Sequence, residues 1–251
     1  MFSDFIQSAP VAHITLDDVH LWLIDTRDIY KKSDIDNLFS LLSDEEKLRI
    51  KQFRKAEKQH QFLVSRAVLR CLLNALLKMP SPRDLTFTLN AYGKPALAVN
   101  SEKLQFNLSH SGTTVLIAIT SGRACGVDIE SIDRTRQVHD LAKFYFHPTE
   151  FNTLKHTSDE LADVMKFYKL WTLKEAFIKA EGKGMAIPGD GFYFDDIESV
   201  NPQVIVTEPS VASEQTWLFS HYFYSNAYST ALAIEKIKDR PVNISRRRLV
   251  L

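Results

Sequence analysis

Two carboxylates one residue apart stand out, Asp128 and Glu130 in Gly126-Val127-Asp128-Ile129-Glu130. In a strand, alternate side chains share a face, so Val127 and Ile129 are expected to enter a core while Asp128 and Glu130 point together the other way. Neighbouring carboxylates repel and favour a cation between them. Hard oxygen ligands suit magnesium, which takes one or two carboxylates and completes its octahedron with water and phosphate oxygens. Taken alone, the same pattern fits a strand with polar residues facing solvent.

A second cluster lies in Trp171-Thr172-Leu173-Lys174-Glu175-Ala176-Phe177-Ile178-Lys179. On a helical wheel Phe167, Leu170, Trp171, Phe177 and Ile178 form one apolar face. Glu175 and Lys179 lie one turn apart on its flank, which by itself describes a surface ion pair worth about 0.2–0.5 kcal/mol. Lys174 falls inside the apolar arc, so it must snorkel out or meet a buried anion. The third cluster, Phe106-Asn107-Leu108-Ser109-His110-Ser111-Gly112, ends a strand in small polar residues. Its hydroxyls, imidazole and amides could bind phosphate oxygens, or simply form a polar hairpin.

The elements that must position these residues follow from patterning. His20 to Asp25 reads as a strand, and Ser43-Asp44-Glu45-Glu46 as a capping box that opens a helix at Asp44. A long apolar helix is expected from about Glu57 to Lys78, stopped by Pro80 and Pro82. Strand patterns follow at Thr86 to Asn90, Leu104 to Leu108, Thr114 to Thr120 and Cys125 to Glu130. The last three, separated by Ser111-Gly112 and Ser121-Gly122, suggest an antiparallel meander. Pro148 starts a helix, and Leu161 to Glu181 forms another, ended by Gly182 and Gly184. Further strands are expected at Gly191 to Phe194, Val204 to Thr207, Trp217 to Tyr224 and Tyr228 to Glu235. Each half thus reads strand, helices, strands, and each places a Gly-Lys pair after its long helix. The fold class expected is α+β, with two similar halves, 1–131 and 132–251.

Lys plus Arg and Asp plus Glu both total 31 in 251 residues, so any anion site is local and no nucleic-acid-binding field is present. Cys71 and Cys125 have no paired spacing and read as buried free thiols of a reducing compartment, the cytoplasm. The start MFSDFIQSAP lacks the pattern of a signal peptide, and no apolar run reaches the roughly 18 residues of a membrane span. Arg246-Arg247-Arg248 reads as a solvated end.

In order and spacing, FNLSHS at Phe106 to Ser111, GVDIE at Gly126 to Glu130, WTLKEAFIKAEGKG at Trp171 to Gly184 and Gly93-Lys94-Pro95 resemble the phosphopantetheinyl transferase family, in its larger, pseudo-dimeric (Sfp-like) type. The resemblance spans about Ser43 to Gly184. It implies two α+β halves related by a pseudo-twofold, an active site in the cleft between them, and a monomer. Coenzyme A is the implied donor, and a serine of an acyl or peptidyl carrier protein the acceptor. Asp128, Glu130 and Glu175 would hold magnesium against the diphosphate. Glu175 would take the serine proton, directly or through water, and Lys179 would balance charge on the leaving adenosine bisphosphate or protonate it. Lys174 would face the phosphates, and Lys94, Ser109 and His110 would bind the nucleotide. Glu46 and Gln61 stand where relatives often carry basic residues, which leaves Arg49 and Arg66 for the 3′-phosphate.

Two other readings were weighed. A noncatalytic coenzyme-A-binding or carrier-binding module would not need Glu175 and Lys179, both of which are present. A different magnesium phosphotransferase would show G-x-x-x-x-G-K-[ST], and a zinc hydrolase H-E-x-x-H; neither occurs.

Overall fold

The computed structural model of the protein describes residues 13–99, 103–154, 160–211 and 213–249; the opening MFSDFIQSAP lies outside them. Element order runs twice through one sequence of types. The first run is β1 (Asp18–Asp25), α1 (Lys32–Ser40), α2 (Asp44–Gln52), α3 (Ala56–Leu77), β2 (Phe87–Leu89), β3 (Pro95–Leu97), β4 (Leu104–Ser111) and β5 (Thr114–Ser121). The second is β6 (Cys125–Ser131), α4 (Val138–Tyr145), α5 (Pro148–Leu154), α6 (Glu160–Glu181), β7 (Phe192–Asp195), β8 (Gln203–Val206), β9 (Trp217–Tyr224) and β10 (Tyr228–Glu235), and β11 (Asn243–Leu249) follows. By this order β6 opens the second half, ahead of the division expected after residue 131. The long helices α3 and α6 are 22 residues each.

Pairing repeats with the order. β1 pairs β5, and β5 pairs β4, all antiparallel; likewise β6 pairs β10, and β10 pairs β9. The expected meander is therefore corrected at its third strand: β4 and β5 form the hairpin, but β6 leaves for a separate sheet with β10 and β9. Arg246-Arg247-Arg248 lies in an ordered strand, β11, which pairs in parallel with β1; Arg246 and Arg248 are exposed, as expected, while Arg247 stacks over Trp22 at 5.1 Å.

Strand alternation sorts the core into layers. Trp22, Ile24, Val115, Ile117 and Ile119 meet Val64, Val68 and Leu72 of α3. The alternate residues Val19, Leu21, Leu23, Leu116 and Ala118 meet Val127, Ile129, Leu232 and Ile234 of the other sheet. The far face of that sheet, with Ala231 and Ala233, meets Phe167, Leu173 and Phe177 of α6. The layers run helix, sheet, sheet, helix. Among the described residues no helix is long and apolar enough to cross a membrane. Cys71 and Cys125 are buried free thiols, and burial pushes Cys71 up to about 12.

Two short helices have no counterpart among the expected elements. In α1 Ile35 and Leu38 share a face and pack into the first core, but the N-cap Lys31 supplies no side-chain bond to mark a start. In α4 the buried Val138 and Ala142 are one turn apart.

The sheets' facing edges are β4 and β6, which are joined by side chains rather than a backbone ladder. Asn107 Oδ1 accepts from Val127 N–H at 2.8 Å, and Ser109 Oγ donates to Asp128 Oδ1 at 2.8 Å. Ser111 Oγ donates to Glu130 Oε2 and accepts from Ser131 N–H, both at 2.9 Å. Alternate short polar side chains thus satisfy an edge that would otherwise stay open. On the face of β6 that carries Asp128 and Glu130, Gly126 lets α6 lie directly on the strand: a Cβ there would sit 2.1 Å from Ala176 O and 2.3 Å from Ala180 N. Because those are backbone atoms of a packed helix, Gly126→Val is expected to cost about 3 kcal/mol. A wild-type midpoint in urea unfolding would refute this.

Candidate active site

The sequence delivers its chemistry to one place because three elements meet there. β6 presents Asp128 and Glu130 on the face opposite Val127 and Ile129. Helix α6 presents Trp171, Glu175 and Lys179 at successive turns. β4 supplies Leu108, Ser109 and His110. These eight residues line a cavity of about 330 Å³. Lys179 Nζ donates to Asp128 Oδ1 at 2.6 Å and to Ser109 Oγ at 2.9 Å. Tyr145 donates its phenol hydrogen to Glu175 Oε1 at 2.6 Å.

The electrostatics are those of a site short of positive charge. Burial, then the nearby Asp128, pushes the Glu130 carboxyl above its ordinary value despite the Ser111 bond. Burial likewise raises Glu175, assisted by Asp128 and opposed by Tyr145 and Lys179. Asp128 is 2% exposed, and its Oδ2 is buried without a hydrogen-bond partner. Among the described residues, no group of three or more His, Cys, Asp or Glu side chains is already arranged to hold a metal ion. Magnesium needs only one or two carboxylates, since water and substrate phosphates fill its other positions. The orphaned oxygen of Asp128 and the neighbouring Glu130 and Glu175, both raised by burial, fit such a cation.

A second, larger cleft of about 1240 Å³ adjoins the first, sharing Leu108 and His110 with it. Arg49 and Arg66 both line it, with Phe53, Phe62 and Phe87. Arg49 lies over Phe62 at 5.8 Å and Arg66 over Phe87 at 4.8 Å. Arg66 Nε also donates to Glu46 Oε1 at 2.8 Å, and Arg70 Nε to Glu46 Oε2 at 2.6 Å. Burial alone would raise Glu46, but Arg70 and Arg66 outweigh it and hold the carboxyl below its usual range. Glu46 therefore serves two ends: it closes the capping box with Ser43 and anchors two guanidiniums.

Two expected ligands are elsewhere. Lys174 does not face phosphates: it is fully buried, and its Nζ donates to Glu150 Oε2 and to Phe192 O, each at 2.7 Å. It took the second of its two options, a buried anion. Lys94 does not line either cavity. Its Nζ donates to Cys125 O at 3.1 Å and Ala180 O at 2.9 Å, so it ties the end of α6 to the start of β6. Its neighbour Asn90 donates to Gly182 O at 2.8 Å. A carbonyl-rich helix C-terminus attracts a cation, and no sequence pattern distinguishes that use from phosphate binding.

Tyr145 was missed. It sits in Phe144-Tyr145-Phe146 at the end of a helix that was itself unread. Ser111 was legible in principle, being in alternation with Asn107 and Ser109.

The chain matches known proteins along both halves. Residues 124–233 match the model of the 4'-phosphopantetheinyl transferase superfamily. Residues 30–122 match that of the 4'-phosphopantetheinyl transferase N-terminal family. The chain is 31% identical over 208 residues to the 4'-phosphopantetheinyl transferase HetI of Nostoc sp., covering 82% of each. It is 33% identical over 159 residues to the 4'-phosphopantetheinyl transferase Sfp of Bacillus subtilis, covering 62% of this chain and 67% of the relative. To the L-aminoadipate-semialdehyde dehydrogenase-phosphopantetheinyl transferase of Xenopus laevis it is 29% identical over 211 residues, covering 77% and 68%. Matched along both halves and across most of a relative's length, the chain belongs to the 4'-phosphopantetheinyl transferase family, in its Sfp-like type.

Proposed function

We propose that the cavity between β6, α6 and β4 is where this enzyme transfers 4'-phosphopantetheine from coenzyme A to a serine of an acyl or peptidyl carrier protein. The observation that carries the placement is the buried, unpartnered Asp128 Oδ2 in one cavity with Glu130, Glu175 and Lys179. Asp128, Glu130 and Glu175 would hold magnesium, which when bound offsets negative charge developing on the phosphate oxygens.

The chain's own residues do the rest. The carrier serine oxygen forms a bond to the phosphorus that bears the pantetheine arm. The bond from that phosphorus to the bridging oxygen breaks, releasing adenosine 3',5'-bisphosphate. Glu175 takes the serine proton; its affinity for protons is raised above that of an ordinary glutamate, first by burial, which strengthens it as a base. Lys179 turns from Asp128 and Ser109 to the diphosphate and neutralises the leaving group. Ser109 and His110 line the way to the larger cleft, where Arg49 and Arg66 would receive the 3′-phosphate and the phenylalanines the adenine. Most of the gain comes from positioning and charge stabilisation.

Incubation of a carrier protein with coenzyme A, magnesium and the enzyme is expected to add one phosphopantetheine to the carrier serine, read by intact-mass spectrometry. A chelator should stop it. A carrier that gains no mass in any tested pathway would support a module that only binds coenzyme A or carrier.

A further inference from the structure

Tyr145 reaches the proposed base from outside every motif. Its hydroxyl donates to Glu175 Oε1 at 2.6 Å, the length of a charge-assisted bond between a hydroxyl and a carboxylate. The ring is clamped on two sides. It packs on Trp171, with ring centroids 4.7 Å apart and 34° between planes. On another side it meets Gly189, where a Cβ would lie 2.6 Å from Tyr145 O and 2.8 Å from Tyr145 Cε2. Phe146, the next residue, is buried and anchors the helix end in the second core. A phenol held this way has little freedom to leave its partner.

We infer that Tyr145 is a positioning residue for Glu175: by occupying Oε1 it fixes the carboxylate's rotation and leaves the second oxygen to the cavity that Glu175 lines. A free glutamate on a helix flank has several rotamers, and each swing removes the base from its working position. The side chain acts through Glu175 and need not touch coenzyme A. The inference rests on the role proposed for Glu175.

The test uses the full-length enzyme with Tyr145→Phe, which keeps the ring and its packing and removes only the hydroxyl. Steady-state transfer is expected to show kcat reduced about tenfold with KM for coenzyme A within about twofold. Calorimetric titration of magnesium into the enzyme–coenzyme A complex, without carrier, is expected to show weaker metal binding. The thermal midpoint should stay at the wild-type value. Wild-type kcat and wild-type magnesium affinity in Tyr145→Phe would overturn the inference, leaving Tyr145 a packing residue. A fall in the thermal midpoint with kcat and KM moving together would also overturn it. Glu175→Gln is the control: if it is inactive while Tyr145→Phe is normal, only the positioning role fails. If Glu175→Gln is itself active, both readings fail.

Discussion

Asp128→Ala and Glu175→Ala are each expected to reduce transfer to a carrier protein by on the order of 10³-fold or more while leaving the protein folded. Each removes a carboxylate that no neighbour replaces. Asp128 is bonded by Lys179 and Ser109 at one oxygen and by nothing at the other. Stability should move the opposite way from activity. Glu130 and Glu175 have folded-state values raised above those of an exposed glutamate, burial being the main cause. The native state therefore holds protons more tightly than the unfolded one. Stability is highest below the ordinary glutamate value and declines as pH rises through the folded value. At pH 8 without metal, Glu175→Gln should thus melt about 1–3 °C above wild type, the gain vanishing near pH 4. Equal melting at both pH values, or retained transfer, would contradict the assignment. Function and stability compete at this site.

The second large effect is on folding. Lys174→Met is expected to destabilise the enzyme by about 3–5 kcal/mol, because it strands a buried carboxylate without its cation. The Glu150 side chain is 1% exposed. Its Oε1 accepts from Phe194 N–H at 2.9 Å, and its Oε2 accepts from His147 N–H at 3.3 Å and from Lys174 at 2.7 Å, its only cation among the described residues. The Lys174 Nζ also lies 4.0 Å from the Phe192 ring centroid. Adding Glu150→Gln removes the stranded charge while keeping an acceptor for Phe194, so the double variant should recover most of the loss in urea unfolding. Well below its melting temperature, Lys174→Met should keep its affinity for coenzyme A. Lost affinity with unchanged stability would return Lys174 to the phosphates.

What was legible depended on whether a residue's use is local. Ser43 and Glu46 act within one helical turn, and the capping box stands as read. Val127 and Asp128 are sorted by a period of two, and the period alone places one in the core and the other in the cavity. The turn of helix between Glu175 and Lys179 set both on one flank. Lys174 and Lys94 show the limit. A lysine's destination depends on which chain segment lies across from it. Glu150 is 24 residues away and Ala180 86 residues away, and neither pairing leaves a periodic trace. The same holds for β6, whose residue types announce a strand but not its neighbours, while the arginine-rich β11 does not read as a strand at all.

The placement of β11 has a consequence for synthesis. A ribosome releases β1 well over 200 residues before β11, yet these two segments lie side by side in the finished sheet. Until β11 emerges, the first sheet presents β1 as a bare edge, open to wrong neighbours. The first half can collapse around α3 during translation, but its sheet is complete only when β11 arrives. A fusion or truncation that holds back residues 243–249 would therefore be felt first in the half of the molecule made earliest.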